Sequence, residues 1–597
     1  MNKNVKINYL AKDFATIRES LVDYAKRYYS DTLTDLSDAS INSFMIDSTA
    51  YVGDILSFYL DYQTNESFLP TAIELKNVQA LAKSQGYKDR DVSSTFGRVA
   101  LYLLLPAVNG SPNYQNAPTI LRGTTLQTSD GTRTYITTED VVVDSTLIGT
   151  NYVVARVDVN GSPTYYATKV YVPVVSGELT TITETVTSFS AFRKINFSNP
   201  RIVEIISVVD SDGNRYYEVP TLSENVVYKP IANDSGDSSV PSLLRPVEAS
   251  RRFIFDSDSG FPYIMFGDKQ LSSTDANVID PLTNPNKFIL KKYNTDYQTS
   301  LGFEPNRLIT GDGFGIGPEN TTLTITYRAN SSATNTARVG EITSIKSLLY
   351  RFNNTAVSGE VVSNIITSIQ VINEEDVVGD ISTNTLTELK NVSGLIYQSQ
   401  GRAVTAADYE ALCYLLPKKF GSIKKVKAYR DEKSLKNNIN LFVVCQNNTG
   451  ILQQSNSFIK QNLKVWLSSH KVITDTIDIM DAKIVNLGVN FTVLVDPNFV
   501  KQDVLATCKT DLIEYFNITP EIGQSLNILD IYRVIRGVEG VLDIRGVTVK
   551  NLNSSGYSST YLNIDQNLVS NSTILKMPKN AIYEIRFPEQ DIQGIAV

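Results

Sequence analysis

Apolar and polar positions change their spacing twice along the chain. Up to about residue 90 the apolar residues step by three and four: Phe14, Ile17, Leu21, Tyr24 and Tyr28 fall in one stripe. This spacing predicts a helix, with Asp13 placed to cap its start. A second run, Ser43 to Leu69, carries Ile46, Val52, Ile55, Leu56, Tyr59 and Leu60 with no breaker before Pro70. It predicts a long helix with more than one apolar face, and such a helix needs several neighbours. A third run, from about Thr71, sets Leu75, Val78, Leu81 and Ala82 on one side and stops at Gly86, a residue suited to the left-handed turn that ends helices.

From Arg98 the period becomes two: Val99, Leu101, Leu103 and Leu105 alternate with less apolar residues, which predicts strands. Similar runs follow at Lys169 to Val175, Thr181 to Val186, Val203 to Val209, Phe253 to Phe255 and Leu323 to Tyr327, and Asp210 to Asn214 (DSDGN) reads as a hairpin tip. Residues 270–320 are polar and loop-like, an expected interaction loop. After about residue 385 the pattern is mixed: a helix Thr405 to Leu415, strands Ile423 to Tyr429 and Ile439 to Cys445, a helix Phe458 to Leu467, and a strand region from Lys483 to Val495. A helix carrying Val504, Cys508, Leu512 and Tyr515, a shorter one near Leu526 to Ile535, and a strand Val541 to Val549 complete it.

The expected fold class is therefore α+β and multidomain, with a helical N-terminal region, β-rich middle domains and ferredoxin-like α+β modules toward the C-terminus. At 597 residues one core cannot serve the whole chain. The expected divisions are 1–95 (helical arm and bundle region), 96–200 (β-rich), 201–384 (β-rich with long loops), 385–480 and 481–551 (α+β modules), and 552–597 (loop and arm).

Composition narrows the functional classes. With 55 Lys+Arg against 63 Asp+Glu and a net charge of −8, a broad nucleic-acid surface is not expected. The basic run Lys418, Lys419, Lys424, Lys425 and Lys427 alternates with apolar residues and reads as the wet face of a strand. Cys413, Cys445 and Cys508 each lie in apolar surroundings and read as reduced core residues. The start lacks the apolar core of a signal peptide, and the longest apolar run, Val99 to Val108, is too short to span a bilayer. Synthesis in a cytoplasm and no membrane insertion are the expectation.

Candidate chemistry is sparse. The single histidine, His470, falls at the end of a predicted helix, where a surface role is expected. No second His and no paired Cys stand ready for a usual zinc site, and no G-x-S-x-G supplies a nucleophile elbow. Gly311 to Gly317 (GDGFGIG) spaces its glycines by two, which fits neither a dinucleotide fingerprint nor a P-loop. Asp256 and Asp258 before Gly260 have the spacing of a partial calcium loop without its distal Glu. Paired carboxylates for glycoside cleavage are defined in space, not in sequence, but the lone Trp466 speaks against a sugar-stacking cleft. No catalytic residue, cofactor site or metal site is assigned.

The most specific segment is Gly401 to Glu410 (GRAVTAADYE), preceded by IYQSQ at 396–400. Thr405 can cap a helix, Asp408 takes the reciprocal position of a capping box, and Tyr409 opens the buried face. With Arg402, Val404, Thr405, Asp408 and Tyr409 in place, the segment resembles the R-x-V-T-x-x-D-Y signature of the baseplate J-like and wedge-ring proteins of contractile-tailed bacteriophages. ESFLPTA at 66–72 with ALAKSQGY at 80–87 looks like that family's N-terminal helix pair. Leu121 to Leu126 (LRGTTL) followed by Ser129 to Gly131 is similar to its strand and turn, with Leu121 and Arg122 in place of the usual Pro-Ala. Phe266, Gly267 and Asp268, then Ile325 to Arg328, resemble later strand motifs, and GQSL at 523–526 with Ile531 and Gly540 to Asp543 resembles the closing helix and strand.

The resemblance implies a virion protein of the tail baseplate, made in the host bacterial cytoplasm. It implies a wedge subunit that pairs with itself in a ring, joins other wedge proteins, and meets sheath-initiating and hub-proximal baseplate proteins, without a catalytic site. It further implies that the N-terminal helices bundle with helices of a companion; the stripe Phe14, Ile17, Leu21, Tyr24 and Tyr28 is either core within the chain or, as its tyrosines favour, the expected partner seam. Two other readings stay open: a tail-associated carbohydrate-binding or glycan-degrading protein, and the equivalent wedge of a phage-derived extracellular injection particle.

Overall fold

The protein's structure, a computed structural model, describes residues 13–29, 37, 40–87, 92–144, 151–232, 242–258, 260–270, 314–354, 357–379, 386–431, 434, 438–447, 450–569 and 573–597. The expected interaction loop at 270–320 therefore lies largely outside the described residues. The described chain forms two compact units, one of residues up to 87 with 386–400, the other of the remainder.

The first unit is helical. Helix α1 (Phe14–Tyr28) begins at Asp13, whose side chain accepts from the Thr16 amide. Helix α2 (Ile41–Glu66) is capped by Ser40, which accepts from the Ser43 amide. Helix α3 (Leu75–Ser84) ends as the sequence suggests: Gly86 has φ +95°, Tyr87 N donates to Ala82 O at 3.1 Å and Gly86 N to Lys83 O at 3.0 Å. This pair of bonds is a Schellman stop. Against α3 lies α4 (Leu386–Ser399), which the sequence pattern did not reveal. Buried Val78 and Ala82 of α3 and Leu389 and Ile396 of α4 form the core of this corner.

The second unit begins with an eight-stranded sheet whose centre is β1 (Phe96–Val108) paired antiparallel with β2 (Pro163–Ser176). The alternating Val99, Leu101, Leu103 and Leu105 are all buried in its core, as period two requires when one face is covered. The chain continues through Gly177 into β3 (Glu178–Val186), the edge of a seven-stranded sheet. That sheet also contains β4 (Ile202–Val209), β5 (Arg215–Glu218), β6 (Arg252–Asp258), β7 (Phe261–Phe266) and β8 (Thr321–Ala329). The Asp210 to Asn214 tip is a hairpin turn: Asp210 N donates to Asn214 O at 3.0 Å and joins β4 to β5.

Two α+β modules follow. In the first, α5 (Ala406–Tyr414) precedes β9 (Lys425–Arg430) and β10 (Asn438–Gln446), which pair antiparallel. Helix α6 (Ser457–Ser468) then leads to β11 (Thr476–Asp481), which pairs directly and in parallel with β10, a βαβ unit. In the second, β12 (Lys483–Val495) is followed by α7 (Lys501–Phe516) and α8 (Ile528–Arg536) and pairs antiparallel with β13 (Val541–Leu552). Strands Ala581–Glu584 and Ile592–Ala596 both run parallel to β12. The chain is thus a multidomain α+β protein. The three cysteines are free and buried.

Candidate helical interface

What leaves an apolar surface open on the helical unit is the way α1 lies on α2. Arg18 Nε donates to Asp47 Oδ1 at 2.5 Å and its Nη2 to Ser43 Oγ at 3.3 Å. Ser43 and Ala50 of α2 are buried, and Ile17 packs over Gly53. Residues 43, 47, 50 and 54 share one side of a helix because they recur every three or four positions. α1 therefore covers the small and polar side of α2.

The flank and far side of α2 carry the large residues, and they are open. Phe44, Tyr51 and Phe58, spaced by seven, are 71%, 60% and 66% exposed. Met45, Val52 and Tyr59 repeat the same spacing one residue on, and Ile41, Leu56 and Leu60 widen the strip; all are exposed. Apolar residues that recur every seven positions are a feature of helices that supercoil around partners, and the helix is about 39 Å long at 1.5 Å per residue. Monomeric soluble proteins rarely leave a contiguous apolar patch of this kind uncovered.

The far end of α2 is held firmly. Glu66 accepts from Ile73 N and Asn77 Nδ2, both at 2.8 Å. The Asn77 bond, followed by the Ile73 bond, draws its carboxyl below the usual carboxylate range. Helix α3 has no side-chain cap from its own N-cap Glu74; Glu66 instead accepts from the amides of Ile73 and Glu74 just before the helix, and from the Asn77 side chain in its first turn, which fixes the α2–α3 corner. Phe68 and Ile73 beside this corner are also exposed.

The stripe expected from sequence as the partner seam divides between two roles. Ile17, Leu21 and Tyr28 are partly buried, whereas Phe14 and Tyr24 are exposed, with the Tyr24 ring 4.8 Å from that of Tyr28. α2 also carries an open apolar face, and its Phe44, Met45, Tyr51 and Phe58 were not singled out by the sequence reading. Their signal was present in the seven-residue spacing.

The motif residues sit inside the second unit. Thr405 and Asp408 form the full capping box: Asp408 N donates to Thr405 Oγ1 at 3.3 Å, and Asp408 Oδ2 accepts from Thr405 N at 2.8 Å and Val404 N at 3.1 Å. Tyr409 is buried and donates to Asp475 Oδ2 at 2.8 Å; burial first, and this bond second, push its phenol up. Arg402 and Val404 are exposed. Phe266 is buried at the end of β7, and Gly267 lies against Gly315, where a Cβ would stand 1.9 Å from the Gly315 oxygen. Asp268 Oδ1 accepts from Phe314 N at 2.7 Å. In both motifs a carboxylate side chain accepts from nearby backbone amides, Asp408 from Val404 and Thr405 and Asp268 from Phe314.

His470 follows α6 with its ring 4.3 Å from Trp466. Asp256 and Asp258 lie in β6, paired with Tyr263 and Phe261, so both sit on a strand and not on a loop. Among the described residues no group of three His, Cys, Asp or Glu could hold a metal ion, and no helix is long and apolar enough to cross a membrane.

Residues 13–84 match the family model described as bacteriophage baseplate protein, N-terminal domain. The match spans α1 to α3. Among solved structures, a chain of the sixfold-symmetrised baseplate of the anti-feeding prophage is similar at 9% identity, covering 95% of this chain and 90% of its own, with a TM-score of 0.25. A chain of the TssK-TssF-TssG baseplate subcomplex of a type VI secretion system is similar at 8% identity, covering 73% and 96%, with a TM-score of 0.24. Scores of this size do not establish a common fold. No curated protein matches the chain.

Proposed function

We propose that the chain is a structural subunit of a phage tail baseplate, and that the outer face of α2 is the seam on which helices of companion subunits dock. One coincidence carries this reading: the segment similar to the N-terminal domain of baseplate proteins is the segment that leaves a heptad-spaced apolar face open. The finer form of the proposal is a wedge subunit whose copies pair and join neighbouring wedges into a ring around the hub, passing on the movement that triggers sheath contraction. In that form Phe14 and Tyr24 extend the seam from α1, while the Thr405 capping box and the Phe266 to Asp268 turn keep the load-carrying domains folded. No reaction is assigned to the chain.

The test is to purify the chain alone and together with the proteins encoded beside it, measure the mass of each preparation, and screen both for glycan hydrolysis. Partner-dependent assembly without turnover supports the proposal. Turnover that one Asp or Glu substitution abolishes overturns it.

A further inference from the structure

The Ile325 to Arg328 segment, which the proposed function leaves unused, contains the largest fully buried side chain among the described residues. Arg328, in β8, is 2% exposed. Its Nε donates to Glu204 Oε1 of β4 at 2.8 Å, within its own sheet. Its other two nitrogens reach across to the eight-stranded sheet. Nη1 donates to the carbonyl of Ser176, the last residue of β2, and Nη2 donates to Ser94 Oγ at 2.8 Å, on the segment that leads into β1.

A second layer of bonds runs the same way. Ser176 Oγ accepts from Thr95 N at 3.0 Å and donates to Asn330 Oδ1 at 3.0 Å, and Asn330 Nδ2 donates to Ser93 O at 2.9 Å. Thr95 Oγ1 and the Tyr135 hydroxyl both donate to the carbonyl of Asn335, at 2.8 and 2.9 Å. Ser93, Ser94, Thr95, Ser176, Asn330 and Asn335 are all buried. At the crossing itself Gly177 has φ +113°, and a Cβ there would stand 2.9 Å from the Ala329 oxygen, so the backbones touch where one sheet becomes the other.

A buried ionic network is seldom more stabilising than well-packed apolar residues of the same volume. What it adds is geometric selectivity. The guanidinium is a planar fork with fixed donor directions, and its acceptors here come from both sheets. Rotating one sheet against the other would strip the charge of its Ser176 and Ser94 acceptors while leaving it out of water, a penalty that rises with angle. A greasy joint would slide; this one resists.

We propose that the polar knot around Arg328 is a latch that holds the two β-sheet domains at one angle, so that they move as a single rigid body. The proposal is independent of what the protein assembles with.

The test uses the full chain with spin labels at Asn160→Cys and Asp212→Cys, exposed turn positions of the two domains. The native cysteines are buried and do not take the label. The distance distribution between labels is compared with that of Arg328→Met and of the milder Ser94→Ala, and amide exchange of both sheet cores is followed in parallel. The expected result is one narrow distance in the parent, at least a twofold broadening in Arg328→Met with both cores still protected, and a smaller broadening in Ser94→Ala. An unchanged width in Arg328→Met overturns the latch. If Arg328→Met exposes both cores, Ser94→Ala decides: broadening upholds the proposal, and the parent's width overturns it.

Discussion

Arg18 of α1 and Asp47 of α2 are joined through Nε and Oδ1 at 2.5 Å, and this pair turns the small, polar side of α2 inward. Both side chains are about one-third exposed, so water screens the pair and its worth is at most about 1 kcal/mol. Its value is orientation. Asp47→Ala is expected to raise amide exchange across α1 and the first half of α2 while leaving the β-sheets of the second unit unchanged. Unaltered exchange in α1 would show that Ile17 and Ala25 hold the helices in register without the ion pair.

Gly267 tests the backbone clasp. An alanine Cβ would lie 1.9 Å from the Gly315 oxygen and 2.4 Å from its carbonyl carbon, both backbone atoms that no rotamer change can move. Gly267→Ala is expected to destabilise the seven-stranded sheet by about 3 kcal/mol, at the upper end for overpacking. Gly546→Ala, where no atom lies within 4 Å of the new carbon, should stay within about 0.5 kcal/mol. Hydrogen exchange of β6 and β7 separates the two.

The capping box of α5 gives a graded series. Thr405→Ala removes one acceptor and should cost about 1 kcal/mol. Tyr409→Phe leaves Asp475 without the phenol that donates to it at 2.8 Å and should cost about 1.5 kcal/mol. Both losses should register as faster exchange at Ala406 to Tyr414; an effect confined to the second α+β module would contradict the assignment.

Alkali should weaken the fold more than its surface charge suggests. Burial holds the phenols of Tyr409, Tyr414 and Tyr583 above their ordinary value, and raises those of Tyr216 and Tyr263 to about 12. An unfolded tyrosine loses its proton near pH ~10, so above that pH the unfolded state binds fewer protons than the folded one and stability falls. The contribution is complete below pH ~10 and is lost as pH rises through the folded values, between about 10 and about 12 for Tyr216 and Tyr263. Phenolate absorbance should therefore rise together with loss of structure. Full tyrosine ionisation in a still-folded chain would contradict this.

Features set by neighbouring residues were readable from the sequence. The Asp13 cap, the Gly86 stop, the 210–214 hairpin and the Thr405–Asp408 box each depend on a few consecutive positions, and the structure realises all four. Features set by distant partners were not. Which side of α2 remains open depends on where α1 lies, and the Arg18–Asp47 contact spans 29 positions. Helix α4 has its partner α3 some three hundred residues earlier, and its polar Ser393 and Ser399 are buried, which blurs the apolar stripe that would have announced it. The stripe on α1 was legible as a stripe, but periodicity alone does not say whether a neighbouring helix of the same chain or another chain covers it.

The most direct measurement is co-assembly of a chain carrying Phe44→Asp, Tyr51→Asp and Phe58→Asp together with its companion proteins. These side chains are exposed in the isolated chain, so the variant should keep the helix content, mass and amide protection of the parent. The account predicts that it remains a free subunit while the parent enters the assembly. A variant that assembles as completely as the parent would show that the outer face of α2 is not where companions bind.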